Sequence, residues 1–219
     1  MAISEDNRPI VLLGGTFDPV HYGHLRLAVE SGEELQAKEV RMLVSSLPPH
    51  RQTKATALQR FEMLKRACLG SQMLVPDSTE IRRSGSSYTI DTVEQVRIEV
   101  GWDVPLCLVI GQDAFSGFLF WRRWQELFDF VHVIIATRPG YDENWPVLIR
   151  REWKKRAVAN RPSLLACPYG KMMSLSIPPL DISSSRIRHL LALGRSVQYL
   201  LPEEVRKYIE EQRLYGDFL

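Results

Sequence analysis

The sequence has few cysteines, and none of them are paired in a recognisable motif. Its 219 residues include only Cys68, Cys107 and Cys167, which lie far apart and form no C-x-x-C pair. An odd number of widely spaced cysteines supports neither a disulfide framework nor a cysteine zinc site. We therefore expect reduced thiols and predict no metal site built from protein ligands.

Long apolar runs are also missing. No stretch of about 18 apolar residues occurs, so the sequence contains no candidate transmembrane helix. Residues 1–6 are polar and lack the apolar segment of a signal peptide. These features predict a cytoplasmic protein that does not associate with membranes.

Net charge is almost absent, because 28 basic residues are balanced by 26 acidic ones to leave +2. That value is too small to indicate a nucleic-acid partner by itself. The basic residues Arg150, Arg151 and 154–156 are more typical of a solvated helix face, since no aromatic stacking pattern accompanies them. We predict no nucleic-acid binding.

The apolar runs that do occur are short, and they alternate with helical patterns. The predicted strands are 10–13, 40–44, 73–75, 106–110 and 131–136, with a further strand ending before Pro178. The predicted helices are 22–36, 56–69, 89–100, 113–128 (interrupted near Gly117), 145–158 and 183–193. This order predicts an α/β fold with a doubly wound, mostly parallel sheet and helices on both faces. We expect one domain over residues 1–219, with a C-terminal helical part from about residue 183.

The first candidate site is GGTFDPVHYGH at residues 14–24, between the first strand and the first helix. Gly14 and Gly15 permit close approach of a ligand to the backbone. His21 and His24 lie on one face of the helix's first turn, where free N–H groups favour an anion. Gly23 costs about 1 kcal/mol in a helix, which indicates that something packs against its backbone. The motif predicts a phosphate site, whereas an H-x-G-H tetrad alone would fit an ordinary turn equally well.

A second candidate site is PPLDISSSRIR at residues 178–188. Ser183 is a natural N-cap for the following helix, and Ser184 and Ser185 would place hydroxyls in its first turn. Arg188 lies one turn further and would reach the same anion through charge-assisted hydrogen bonds. Taken alone, the segment is equally consistent with a capped surface helix. Together, the two motifs fit a triphosphate meeting a monophosphate.

Both motifs resemble the HxGH nucleotidyltransferase superfamily, and most closely the bacterial nicotinate-nucleotide adenylyltransferase family. The resemblance extends over almost the whole chain. Residues 48–51 (PPHR) are similar to the family's PPHK loop, residues 87–92 (SYTIDT) to its SYT-x-DT segment, and residues 111–113 (GQD) with Trp121 to its GxD and W region. Residues 138–140 (RPG) also fit. Arg51 replaces the usual lysine and Ser185 the usual threonine, and both replacements keep the charge or the hydroxyl.

The resemblance implies a Rossmann-like nucleotidyltransferase fold and transfer of AMP from ATP to nicotinate mononucleotide, giving deamido-NAD and pyrophosphate. It implies His21, His24 and Arg188 as catalytic residues and Mg²⁺ carried with ATP. The implied ATP-binding residues are Gly14, Gly15, Thr16, Phe17, His21, His24, Gly111, Asp113, Ser184, Ser185 and Arg188. The implied acceptor-binding residues are Thr16, His50, Arg51, Tyr88, Thr89, Trp121 and Arg138.

Two of these assignments have structural alternatives. Trp121 is a candidate stacking partner for the nicotinate ring, but Phe118 and Trp124 surround it at helical spacings that also suit core packing. Asp113 would bind a ribose or cap the helix that follows it.

Other functions share parts of the pattern. Phosphopantetheine adenylyltransferases resemble it but have a TxGH motif in a shorter chain, and cytidylyltransferases differ in consuming CTP. Residues 171–174 (KMMS) superficially resemble the KMSKS loop of class I aminoacyl-tRNA synthetases but lack the second lysine. A nucleotide-binding protein without catalysis is the alternative outside enzymes. Oligomeric state and the preference between nicotinate and nicotinamide acceptors are open at this point.

Overall fold

The computed structural model describes residues 8–48, 52–83, 85–137, 145–178 and 180–216. Within them, six strands form one sheet in the order β3-β2-β1-β4-β5-β6, and every neighbouring pair is parallel. The strands are β1 (Ile10–Gly15), β2 (Glu39–Val44), β3 (Leu74–Asp77), β4 (Leu106–Gly111), β5 (His132–Thr137) and β6 (Met172–Ser176). This is the doubly wound parallel sheet that the alternation of strands and helices predicts.

Helices connect the strands and follow the last one. They are α1 (Tyr22–Leu35), α2 (Ala57–Ala67), α3 (Thr79–Arg82), α4 (Thr89–Val100), α5 (Gln112–Phe115), α6 (Val147–Arg156), α7 (Arg161–Leu164), α8 (Ser184–Ala192) and α9 (Glu203–Glu211). Two 3₁₀ segments, Phe118–Phe120 and Trp124–Asp129, lie between α5 and β5. Among the residues that the structure describes, no helix combines the length and the apolarity needed to cross a bilayer.

Each face of the sheet has its own apolar core. Val11 and Leu13 of β1 belong to the core shared with α1, α2, α8 and α9. Ile10 and Leu12 belong to the other core, which includes α4 and the aromatic residues after α5. Successive side chains of a strand point to opposite faces, so an uninterrupted apolar run is what a strand covered on both faces requires.

The order of the strands reverses between β1 and β4. From β1 the chain moves outward to β2 and β3, and it then returns to β4 on the other side of β1. Ligands of doubly wound sheets bind beyond the carboxyl ends of the strands at such a switch point. Here that point brings the residues after Gly15 next to those after Gly111.

Several predicted boundaries are confirmed. Helix α4 covers residues 89–100 as predicted, and α2 begins after Thr56, whose side chain forms a capping box with Gln59. Helix α8 begins after Ser183, whose hydroxyl oxygen accepts a hydrogen bond from the Arg186 N–H at 3.2 Å. The strand expected before Pro178 is β6.

The predicted helix over 113–128 is interrupted near Gly117 as expected, but the prediction that an α-helix continues to residue 128 is wrong, because only 3₁₀ segments follow. Helix α5 ends at Phe115, Trp121 has an extended backbone, and Arg123 has a left-handed φ of 53°. The Arg123 guanidinium donates to carboxylates of Glu94 and Glu126 at 2.8 and 2.6 Å. The irregular backbone lets aromatic side chains of this segment pack together in the second core. The sequence patterns do not predict α3 and α7, and they do not place α9 individually within the C-terminal helical part expected from about residue 183.

Candidate active site

A cleft of about 990 Å³ opens beyond the carboxyl ends of β1 and β4. The two motifs of the sequence, although far apart along the chain, both line it. The predicted site residues in its wall are Gly14, Gly15, Thr16, Phe17, His21, His24, Thr89, Gly111, Asp113, Trp121, Ser184, Ser185 and Arg188. His50, Arg51 and Arg138 lie outside the described residues.

Glycines open the floor of the cleft. At Gly14 and Gly111, which lie near the ends of β1 and β4, a Cβ would have no atom within 4 Å. A flat ligand group can therefore lie directly on the backbone of both strands. At Gly15, by contrast, a Cβ would lie 2.5 Å from the Phe17 ring, so this glycine makes room for Phe17.

The two histidines stack on each other at the start of α1. Their ring centroids are 3.7 Å apart with an interplanar angle of 26°. The rings of Phe17 and His24 form a T-shaped pair whose centroids are 5.0 Å apart. A Cβ on Gly23 would lie 3.0 Å from Cε1 and Nδ1 of His21 and 3.4 Å from the Ile182 carbonyl oxygen. Because Gly23 has no side chain, the His21 ring and the segment before α8 can pack against its backbone. This explains why a glycine occupies the first turn of α1.

His21 is neutral at pH 7. Its side chain is buried, and loss of solvation lowers its pKa to about 4. Its Nδ1 atom is buried without a hydrogen-bond partner among the described residues. A neutral imidazole carries one N–H donor, so His21 is equipped to contact a phosphate oxygen by hydrogen bonding and not as a cation.

Helix α8 is bonded directly to the first motif. The Ser184 hydroxyl donates to the Pro19 carbonyl oxygen at 2.9 Å. Arg188 donates from Nη1 to the carbonyl oxygen of Asp18 at 2.6 Å and from Nη2 to the Ser185 hydroxyl oxygen at 3.3 Å. The N-terminal turns of α1 and α8 therefore bound the same side of the cleft, where the positive ends of their dipoles favour an anion.

Asp18 joins three segments of the chain and was not identified from the sequence. Its carboxylate accepts hydrogen bonds from the N–H groups of Lys54 and Ala55 at 2.8 and 3.1 Å. It also accepts one from the hydroxyl of Tyr215 at 2.6 Å. Nη1 of Arg188 lies 4.0 Å from the same carboxylate. Since each oxygen of the buried carboxylate accepts a hydrogen bond from the protein, Asp18 holds these segments together beside the cleft.

Arg60 of α2 is a second residue that sequence reasoning missed. Its side chain is fully buried and donates to the carbonyl oxygens of Thr16, Ser45 and Ser46 at 2.7, 2.6 and 2.9 Å. Burial lowers the pKa of its guanidinium, and the charge of Asp18 opposes that change. Arg60 fixes the segments that follow β1 and β2. Its spacing from the apolar Met63 and Leu64 is the signal that would have placed it on the buried face of α2.

Thr89 and Trp121 line the half of the cleft that is formed by segments on the other face of the sheet, opposite α1 and α8. Trp121 also packs against Phe118, with ring centroids 5.4 Å apart. Its side chain therefore contacts the second core and lines the cleft as well. Tyr88 is not among the lining residues, and the Arg122 guanidinium lies over its ring, 4.7 Å from the ring centroid.

Beside this half lies an unexpected buried carboxylate. The Oε1 atom of Glu80 accepts a hydrogen bond from the Thr92 hydroxyl at 2.8 Å, and its Oε2 atom has no hydrogen-bond partner among the described residues. Nη2 of Arg83 donates to the Thr92 oxygen at 3.1 Å. These contacts support the start of α4, where Thr89 lies.

The buried cysteines lie away from the cleft. Burial raises the pKa of Cys68 to about 11 and that of Cys107 to about 12, and neither thiol lines the cleft. Within the described ranges, no cluster of three or more His, Cys, Asp or Glu side chains could hold a metal ion.

Known proteins with similar sequences point to one family. The family model described as Cytidylyltransferase-like matches residues 12–190. A Marinobacter nauticus protein named probable nicotinate-nucleotide adenylyltransferase is 43% identical, covering 94% of this chain and 96% of its own. A Pseudomonas aeruginosa protein of the same name is 44% identical with the same coverage.

The fold agrees with that of a solved structure. The Plasmodium falciparum nicotinic acid mononucleotide adenylyltransferase complexed with NaAD superposes with a TM-score of 0.71, at 18% identity, over 95% of this chain and 97% of that one. At this identity the comparison shows a shared fold. The extent of the sequence match decides the family: the chain belongs to the cytidylyltransferase-like family and, within it, to the nicotinate-nucleotide adenylyltransferases.

Proposed function

We propose that this protein transfers AMP from ATP to the 5′-phosphate of nicotinate mononucleotide, producing deamido-NAD and pyrophosphate. The observation that carries the proposal is the meeting of the N-terminal turns of α1 and α8, with His21, His24 and Arg188, on one side of the cleft. Thr89 and Trp121 line the same cleft from segments that pack on the other face of the sheet, which leaves a separate half for the acceptor. The names of the curated relatives agree with this reaction.

The chemistry needs no base and no covalent enzyme intermediate. An oxygen of the acceptor phosphate, already an anion, forms a bond to the α-phosphorus of ATP. The bond from that phosphorus to the bridging oxygen breaks, and pyrophosphate leaves with the electron pair. The protein's task is to align two mutually repelling phosphates and to stabilise the charge that develops on the leaving group.

We assign His21 and His24 as hydrogen-bond donors to the reacting phosphates. Arg188, with the hydroxyls or N–H groups of Ser184 and Ser185, holds the β- and γ-phosphates in this proposal. The nucleotide lies on Gly14 and Gly111, where the backbone is open. The remaining contacts to ATP are assigned to Gly15, Thr16, Phe17 and Asp113.

The acceptor half is assigned to Thr16, Thr89 and Trp121, with Trp121 as the stacking surface for the pyridine ring. Tyr88 contributes through its backbone, because its ring packs under Arg122. His50, Arg51 and Arg138 are proposed from their motifs alone. The Plasmodium falciparum protein, which shares this fold, is complexed with NaAD, and this supports a product of that kind here.

Mg²⁺ enters this proposal as part of the substrate, bound to the phosphates of ATP. The described residues on the phosphate side are chiefly donors, and the carboxylate of Asp18 is already engaged by Lys54, Ala55 and Tyr215. Such ions keep several waters and bind phosphate oxygens more readily than protein cages. The three free thiols suit a reducing compartment, and we place the reaction in the cytoplasm.

The test is pyrophosphate release by the purified protein with Mg-ATP and one acceptor at a time: nicotinate mononucleotide, nicotinamide mononucleotide or phosphopantetheine. A parallel reaction replaces ATP with CTP. We expect release with ATP and the nicotinate acceptor at a kcat/KM well above that of the other pairs. Faster release with phosphopantetheine or with CTP would assign the protein to a different reaction.

A further inference from the structure

The C-terminal segment of the described chain reaches back to the phosphate side of the cleft. The hydroxyl of Tyr215, which follows α9, donates a hydrogen bond to Oδ1 of Asp18 at 2.6 Å. Asp18 is part of the first motif, and Tyr215 lies close to the other end of the sequence. The contact therefore joins the two ends of the fold at the site.

Residues 214–216 pack closely against the rest of the fold. The N–H of Leu214 donates to the Ile209 carbonyl oxygen at 2.9 Å, and Leu214 and Tyr215 pack against the core that contains α8 and α9. A Cβ on Gly216 would lie 2.7 Å from the Leu191 carbonyl oxygen, so this glycine lets the chain run against the end of α8. Tyr215 adopts a left-handed φ of 71°, a conformation that non-glycine residues adopt only when their surroundings impose it.

Tyr215 is one of few groups that fix the Asp18 side chain. Oδ1 receives the Tyr215 hydroxyl and the Ala55 N–H, and Oδ2 receives the Lys54 N–H. Arg188 contacts the same residue at its carbonyl oxygen. A buried carboxylate that loses a donor shifts toward its remaining partners, because an unsatisfied charge in a buried site is costly. Its nearest positive partner is Arg188, at 4.0 Å.

We propose that Tyr215 is a positioning residue of the ATP half: its hydroxyl holds Asp18, and Asp18 holds Arg188 in the orientation that receives the β- and γ-phosphates. The inference rests on the proposed function for the identity of the nucleotide. Tyr215 itself is not among the residues that line the cleft. We expect its effect to be confined to the triphosphate, because Thr89 and Trp121 belong to segments that pack on the other face of the sheet from α1 and α8.

The substitution Tyr215→Phe removes the hydroxyl and keeps the ring. We expect it to raise the KM for ATP about tenfold, as the loss of one charge-assisted hydrogen bond would do, and to change the acceptor KM less than twofold. Tyr199→Phe is the matched control, since Tyr199 also has a left-handed φ, of 66°, but its side chain is exposed. An unchanged ATP KM, or an equal rise in both KM values, would overturn the proposal.

A double-mutant cycle tests the route through Arg188. If Tyr215 acts through that residue, adding Tyr215→Phe to Arg188→Ala will raise the ATP KM no further. Independent, multiplying effects would contradict the route. ATP affinity measured by calorimetry without acceptor gives the same comparison, so the inference is tested even if the wild-type protein releases no pyrophosphate from the expected acceptor.

Discussion

Arg188 and Asp18 connect the two sequence motifs of the cleft, because Nη1 of Arg188 donates to the Asp18 carbonyl oxygen over 2.6 Å. The bond ties α8 to the turn that leads into α1. Ser184 adds a second bond between the same segments through the Pro19 carbonyl oxygen. The two bonds fix the start of α8 relative to the start of α1, and such preorganisation is what charge stabilisation in a transition state requires.

Replacing Arg188 by alanine is expected to weaken ATP handling. The substitution removes a forked guanidinium donor, so the KM for ATP should rise by about 10- to 100-fold while the acceptor KM changes little. Steady-state kinetics with each substrate varied in turn measure both values. Arg186→Ala is the control, because Arg186 lies on the same helix and is exposed. A rise confined to the acceptor KM would mean that the two phosphate sites are exchanged in our assignment.

His24→Ala should lower kcat by a factor of about 10² or more, because it removes a donor placed at the reacting phosphates. The fold should survive, and thermal unfolding of the variant checks this. His189→Ala serves for comparison, since His189 lies exposed near the end of α8. A folded His24→Ala protein with wild-type turnover would remove His24 from the mechanism.

Arg60→Met tests whether the buried guanidinium stabilises the segments that follow β1 and β2. The thioether fills part of the space but leaves the carbonyl oxygens of Thr16, Ser45 and Ser46 without their donor. We expect a loss of about 2–4 kcal/mol in the free energy of unfolding, together with reduced kcat/KM. Urea unfolding measures the first effect. Lys65→Met on the same helix, where the side chain is about half exposed, should cost far less; equal losses would contradict the role of Arg60.

Acid should destabilise the protein through buried histidines. His132 is buried, accepts the Lys171 N–H at Nδ1 and bonds the Cys167 carbonyl oxygen through Nε2, and desolvation lowers its pKa to about 4. The unfolded chain takes up the proton near pH 6.5 and the folded chain near pH 4, so stability falls as pH drops between these values. His132 and His21 each contribute up to about 1.4 kcal/mol per pH unit.

The measurement is the free energy of unfolding at pH 7 and at pH 4.5. We expect His132→Gln, which cannot take up the proton, to lower stability at pH 7 and to show a smaller loss on acidification than the wild type. An identical loss in both proteins would assign the acid sensitivity to other groups.

Local patterns in the sequence predict much of the fold and many of the residues that line the cleft. Residues 10–13 lie within β1, and the capping signals at Thr56 and Ser183 fix the starts of α2 and α8. Such signals depend on neighbouring residues, so they can be interpreted without knowledge of the tertiary structure. The same holds for Gly23, whose cost in a first turn indicates the close packing that His21 provides.

The parts that the sequence does not predict depend on distant contacts. Asp18 is buried among groups from residues 54, 55, 188 and 215, and no local pattern connects these positions. The segment 113–128 has helical spacing, yet the left-handed Arg123 and the packing of aromatic rings in the second core determine its path. Tertiary packing here overrides helix propensity.

The most direct test follows the α-phosphate of ATP. ATP radiolabelled at the α-phosphate is incubated with the protein, Mg²⁺ and nicotinate mononucleotide, and the products are separated; a parallel reaction uses label at the γ-phosphate. The account predicts that the α-label enters deamido-NAD and that the γ-label leaves as pyrophosphate. Label that stays in ATP, or α-label released as free AMP without dinucleotide, would contradict adenylyl transfer in this cleft.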